Sequence, residues 1–193
     1  MAVIYRRISN PTTEPVTLAE AKEHCRVDID TDDTLISALI SAARSAAESY
    51  CNRSFALAEF AIMADSFPAD GAGLENLPDC ASLVSWAYLA ADGTDATMSS
   101  SALTIDTVRN NIRMTDATVA WPIGGSRLQV NVTAGPDCGA SPAVLPDAAV
   151  LAAIKLIIGD LYENREAQVV GSIIQTNPTS MALLTPYRVG MGM

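Results

Sequence analysis

The chain has little of what site chemistry usually draws on. One histidine, His24, occurs in 193 residues, which excludes most imidazole acid–base catalysis and most zinc ligand sets. Aromatic residues make up 5% and charged residues 18%. Positive charge is the scarcer sign: 12 Lys and Arg stand against 22 Asp and Glu, a formal net charge of −10 with His neutral. Such an acidic chain does not wrap nucleic acid by neutralising phosphates. Its arginines are dispersed and do not interleave with aromatics, so no base-stacking platform is expected. There is no CxxC pair. Cys25, Cys51, Cys80 and Cys138 lie far apart and read as four reduced, mostly buried thiols. No G-x-S-x-G, H-E-x-x-H or P-loop is present. No long clean apolar run exists either. The stretch 145–162 is interrupted by Pro146, Asp147, Lys155 and Asp160 and falls short of the ~20 residues a span needs. No apolar run follows Met1–Arg7, so a signal peptide is not expected, and the reading is a soluble protein made inside the cell with no membrane partner.

What is present is apolar: 49% of the residues, enough for one core or for a core with a small second lobe. A solitary small domain carries about 25–35% charge on its surface. The lower value here predicts that part of this surface faces other protein.

Residues 1–16 read as an extended arm, with Pro11 and Pro15 opposing helix. Thr17 and Glu20 have the spacing of a capping box and open a helix over Leu18 to about Cys25. A second helix is expected from about Asp32 to Cys51. Leu35, Leu39, Ala42 or Ala43, Ala46 and Tyr50 form its apolar stripe, and Asn52 and Arg53 end it. Residues 55–135 change character and predict a small, mostly antiparallel β domain. Its candidate strands are 57–63, 82–90, 101–107, 111–114 and 127–133. Leu128, Val130 and Val132 alternate with Gln129, Asn131 and Thr133, the period of a half-buried strand. Asp92-Gly93 and Gly124-Gly125 mark turns, 65–80 reads as a long loop, and Trp121 as a core anchor. Helix returns over 143–170. It is apolar nearly all round, which predicts burial partly against another subunit. Residues 171–193 read as a weakly structured tail with a short helical piece near Ser180 to Leu184. The expected fold class is therefore α+β. The N-terminal arm and helices (1–54) join the C-terminal helix (143–170) in one helical domain, with the β domain (55–135) inserted.

Few residues nominate themselves for chemistry. Asp28, Asp30 and Asp32 mimic the first ligands of a calcium loop. Asp33 then stands where glycine is needed, and Leu39 where a bidentate glutamate is needed. The cluster reads instead as a negatively charged helix start. His24 and Cys25 are helix neighbours and do not face each other, so they form no dyad. No catalytic residue, metal or cofactor is expected.

Several segments together resemble a known family. Pro15-Val16-Thr17-Leu18-Ala19-Glu20-Ala21-Lys22, Cys25-Arg26-Val27-Asp28 and Asp32-Asp33 followed by Leu35-Ile36 open the likeness. Ala42-Ala43-Arg44, Glu48-Ser49-Tyr50-Cys51-Asn52-Arg53, Leu77-Pro78 and Val84-Ser85-Trp86-Ala87-Tyr88-Leu89 continue it. Trp121-Pro122, Val130 to Gly135, Leu161-Tyr162-Glu163-Asn164-Arg165-Glu166 and Leu183 to Arg188 complete it. In this order they resemble the head–tail connector (adaptor) proteins of long-tailed bacteriophages and prophages; a cousin in a gene-transfer particle would carry the same motifs. Cys25 stands where that family usually has leucine, and the aromatic usual after Ala134-Gly135 is absent.

The resemblance implies a structural virion protein, not an enzyme, made in the host bacterial cytoplasm and placed at the head–tail interface. It implies a closed ring of roughly a dozen copies. The portal protein would lie on one side of that ring and a head-closure, stopper or tail-completion protein on the other. Double-stranded DNA would pass through without being read, and the acidity would suit a channel wall that does not grip phosphates. Contacts to portal or neighbour are expected from Glu163, Arg165, Glu166, Ile173, Ile174, Leu183, Leu184, Tyr187 and Arg188. The competing readings are a head-closure or tail-completion protein, and a small acidic enzyme or binding module.

Overall fold

The computed structural model describes residues 3–65, 79–90, 92–98, 100–106, 111–115, 126–164 and 178–189. They form four α-helices and seven strands, and every strand pair is antiparallel, so the chain is α+β. Two compact units result: Thr13–Ala56 with Asp137–Gly190, and Met1–Thr12 with Leu57–Pro136 and Met191–Met193.

In the helical unit, α1 (Leu18–Cys25) starts on the capping box that the sequence announces. The Thr17 hydroxyl accepts the Glu20 N–H at 3.2 Å, and the Glu20 carboxylate accepts the Thr17 N–H at 2.9 Å. Two of the otherwise orphaned N-terminal donors are thereby satisfied. Thr17→Ala is expected to cost about 1 kcal/mol in thermal denaturation, with Thr17→Ser close to neutral.

Helix α2 (Asp33–Cys51) ends on Asn52 with φ of 53°, a left-handed conformation that asparagine tolerates. Its buried face is Ile36, Ile40, Ala43, Ala47 and Cys51, one residue along from the stripe expected at Leu35, Leu39, Ala46 and Tyr50. Leu39 and Tyr50 instead flank the core half-buried. The apolar arc of this helix is wide enough to hold both stripes. Periodicity sets the arc, and the elements the helix meets set its centre.

Helix α3 (Ala148–Glu163) is shorter than the expected 143–170. Asp147 is extended, with ψ of 147°, and its carbonyl accepts the Val150 and Leu151 N–H groups at 2.9 and 3.1 Å. Pro146 thus precedes the helix rather than sitting in its first turn. Asn164, at φ −104° and ψ 74°, is no longer helical. Val150, Ala153, Ile154 and Ile158 are buried, while Ala148 and Ala152 face outward. Helix α4 (Pro178–Leu184) and a 3₁₀ turn (Thr185–Tyr187) close the unit.

In the β unit, β1 (Val3–Arg7), β2 (Ala58–Ala64), β3 (Cys80–Leu89), β4 (Asp95–Met98) and β7 (Ser126–Ala134) make one sheet in the order β1-β2-β7-β3-β4. Strands β5 (Leu103–Asp106) and β6 (Asn111–Met114) form a hairpin. Leu128, Val130 and Val132 are fully buried with Ile62 and Trp86, and Leu103 and Ile112 of the hairpin join the same core. The alternation read along β7 is therefore its inward and outward faces. Outward, Ser82 and Thr133 hydroxyls meet at 2.7 Å and the Asn131 amide donates to Ser85 Oγ at 3.1 Å.

Two strands were not foreseen. Residues 1–12 belong with the sheet rather than with the helices, because β1 pairs with β2 from Val3↔Ala64 to Arg7↔Phe60. Strand β4 follows the turn at Asp92-Gly93, where Gly93 takes φ of 83° and the Asp92 carboxylate accepts the Thr94 N–H at 3.0 Å. Neither β1 nor β4 alternates cleanly in sequence. Pairing with an existing edge makes each a strand. Most of the 65–80 loop, the Gly124-Gly125 turn and Trp121 lie outside the described residues.

Candidate functional site

The described residues hold no cluster of three or more His, Cys, Asp or Glu able to bind a metal, and no helix of theirs is long and apolar enough to cross a membrane. The residues nominated from the sequence fall into three groups.

Glu163 is exposed at the end of α3. Arg165, Glu166, Ile173 and Ile174 lie outside the described residues. Leu183, Leu184, Tyr187 and Arg188 belong to a segment, residues 178–189, that packs on the helical core, unlike the weakly structured tail expected there; the rest of 171–193 lies outside the described residues. Leu184 is 0% exposed and part of the helical core, and Leu183 and Tyr187 pack half-buried against it. Backbone bonds add to this. The Val189 N–H donates to the Cys51 carbonyl at 2.8 Å, and the Asn52 amide donates to the Val189 carbonyl at 3.2 Å. The Tyr50 and Thr185 hydroxyls lie 3.1 Å apart. Leu184 is thus a core residue rather than a contact residue, and Leu183 only a partly covered one. Apolarity in a short segment marks a surface to be covered, but not whether the cover is the chain's own core. Arg188 stays exposed, its guanidinium 5.5 Å from the centre of the Tyr50 ring. The Tyr187 phenol is raised above its ordinary pKa, first by its hydrogen bond to Asp147.

Four aspartates gather at one end of the helical unit. At the end where α1 stops and α2 starts are Asp28, Asp30, Asp32 and Asp33. Lys22 donates to Asp30 and Asp33, each at 2.7 Å. Tyr162 near the end of α3 donates to Asp32 at 2.7 Å, so α3 runs antiparallel to α2 and brings Glu163 to the acidic end. Ile29 stands among these carboxylates 62% exposed. At the other end, where α2 stops, are Arg53 and Arg188, with Tyr50, Tyr187 and the start of α3.

One feature that sequence reading missed is buried. Arg44, counted there among dispersed arginines, is 2% exposed and Glu48 is 6% exposed. Arg44 Nη1 donates to Glu48 Oε2 at 2.6 Å and Nε to Glu14 Oε2 at 2.7 Å. Glu48 Oε1 in turn accepts the Phe55 N–H at 2.8 Å. The i,i+4 spacing of Arg44 and Glu48 was the available signal. Glu14, on the chain leading into α1, had none.

None of the four cysteines is in a disulfide, and burial raises each thiol, Cys80 to about 12. A raised thiol supplies little thiolate, the reactive form. Iodoacetamide at pH 8 is therefore expected to label the native protein slowly and to label all four sites in denaturant. Rapid labelling of Cys51 or Cys138 in the native state would contradict this.

Residues 15–83 match the family model described as phage gp6-like head-tail connector protein. The likeness read from the sequence is to this connector family. The matched residues cover α1, α2, β2 and the start of β3, so they run through both units. No curated protein sequence matches the chain. Solved structures extend the likeness of fold to nearly the whole chain. A chain in the virion of a native gene transfer agent (GTA) particle superposes with a TM-score of 0.75 at 20% identity, over 98% of this chain and 97% of that one. A chain in the neck of an empty GTA particle, computed with C6 symmetry, gives 0.72 at 21% identity over the same shares. One in the neck of a native GTA particle, computed with C12 symmetry, gives 0.72 at 19%. The likeness of fold therefore extends beyond the matched segment to the C-terminal helices.

Proposed function

We propose that this chain is a structural connector of a phage-like particle, placed at the neck between head and tail, with no catalytic role. The observation that carries the reading is the connector-family match over residues 15–83, and the similarity of the fold to GTA neck chains over 98% of the sequence supports it. In this reading the helices before and after the β region form one helical domain with the β domain inserted between them. Copies of the chain close into a ring, and a ring of identical subunits requires a heterologous contact repeated about an axis. Outward-facing Ala148 and Ala152 on α3 give such a contact surface without charge.

The portal protein would cover one side of the ring and a head-closure, stopper or tail-completion protein the other. Double-stranded DNA would pass through the centre, and a net charge of −10 suits a wall that repels phosphates at short range. Glu163, Arg165, Glu166, Ile173 and Ile174, on the stretch leading out of α3, are the proposed portal contacts. Tyr187 and Arg188 are assigned to a neighbouring copy.

The test is binding of the full chain to purified portal rings of the same particle. Co-sedimentation is expected. Substituting Ile173 and Ile174 together by serine is expected to weaken it about tenfold or more while leaving the fold intact. Unchanged binding by that variant would remove those residues from the contact, and no binding by the wild-type chain would overturn the connector reading.

A further inference from the structure

Among the described residues the chain passes between its two units three times, at 12/13, 56/57 and 136/137. On the helical side, all three passages end at one place. Beside the first, Glu14 accepts Arg44 Nε at 2.7 Å on Oε2 and Nη2 at 3.4 Å on Oε1. Beside the second, the Phe55 N–H donates to Glu48 Oε1 at 2.8 Å. The Ser54 hydroxyl lies 3.3 Å from that same oxygen and 2.7 Å from the Ala56 carbonyl. Beside the third, the buried Cys138 thiol lies 3.9 Å from the Phe55 carbonyl. The next residue, Gly139, comes so near the first passage that a Cβ on it would stand 2.9 Å from Thr13 Oγ1. Arg44 and Glu48, one turn apart on α2 and joined at 2.6 Å, thus hold the first passage and the second, and Phe55 carries the contact on to the third. Every one of these residues belongs to the helical unit.

We propose that Arg44 and Glu48 are a clasp. Inside the helical unit they gather the three passages, so that the chain leaves for the β unit and returns from it at one fixed point. A buried ion pair is often no more stabilising than apolar side chains of the same volume; what it supplies here is one arrangement among several. That arrangement is long-range. Glu14 and Arg44 are 30 residues apart, and Phe55 and Cys138 are 83 apart, so local sequence sets neither contact. Three passages held separately would open independently, as separate local units do. Held on one pair, they open together. The clasp lies within the helical unit and does not depend on the connector reading.

The test is local opening in the full-length chain. Hydrogen exchange at the Phe55 amide reads the second passage, and iodoacetamide labelling at Cys138 reads the third. The Ile154 amide and the Cys51 thiol, both buried in the helical core, report on that core. Arg44→Met with Glu48→Met replaces the pair by apolar side chains of similar length, so no unpaired charge stays buried on α2. Both passage rates are expected to rise about tenfold or more, the scale of losing charged hydrogen bonds, while Ile154 and Cys51 stay close to wild type. A second variant, Glu14→Ala, removes a side chain that is 28% exposed and leaves α2 intact. It is expected to raise the rates at Phe55 and Cys138 as well, because Glu14 is tied to Phe55 through Arg44 and Glu48. Unchanged rates at Phe55 or Cys138 in either variant would overturn the clasp. An equal rise at Ile154 and Cys51 would also overturn it, since the pair would then be ordinary core filling.

Discussion

Replacing Arg44 with alanine is expected to lower the stability of the protein by about 3–5 kcal/mol, measured by urea denaturation. The side chain is enclosed, and its guanidinium is shared between Glu48 at 2.6 Å and Glu14 at 2.7 Å. Removing it takes from the buried Glu48 carboxylate the guanidinium that bonds its Oε2. Glu48 cannot swing out to water, because its other oxygen accepts the Phe55 N–H at 2.8 Å and the Ser54 hydroxyl at 3.3 Å. These bonds hold the chain as it leaves α2. Arg44→Lys is expected to lose much of the same amount, since an ammonium cannot reproduce the fork that reaches both carboxylates. Adding Glu48→Gln to Arg44→Ala is expected to recover part of the loss: the amide oxygen still accepts the Phe55 N–H, and the uncompensated charge is gone. A loss below about 1 kcal/mol, the range of a surface ion pair, would show that the network is not buried as described.

Leu184→Ala is expected to cost about 2–5 kcal/mol, and truncation after residue 177 to cost more. The leucine is fully buried among residues of α2 and α3, so the substitution leaves a cavity that helix ends pinned by other bonds cannot readily close. Truncation also removes the Val189 N–H from the Cys51 carbonyl at 2.8 Å and the Thr185 hydroxyl from Tyr50 at 3.1 Å. A C-terminal segment that serves only as a docking tail would behave differently: its removal would leave the thermal midpoint unchanged and abolish partner binding. The expected result here is a lowered midpoint for both variants. An unchanged midpoint for the truncation would restore the loose-tail reading.

These two sites show where sequence reasoning reaches and where it stops. Local signals carried α1 from Thr17 and Glu20, the bounds of α2 from Asp32 and Asn52, and β7 from its alternation, because each depends on neighbours a few residues away. The α2 core face was displaced by one residue, since two apolar stripes compete on a helix rich in alanine and the winner depends on α3. Strands β1 and β4 were missed because pairing, not composition, makes them strands. Arg44 looked like one more surface arginine because its partner Glu14 is 30 residues away. Leu184 looked like a contact residue because its cover comes from helices far back in the chain. Of the nominated contact residues, Glu163 and Arg188 are exposed.

The most direct test of the connector assignment is electron microscopy of the full chain mixed with portal rings of the same particle. The account predicts a closed ring of this protein, coaxial with the portal and open at its centre. Portal rings that stay bare beside monomeric protein, or that carry single copies with no ring closure, would contradict it.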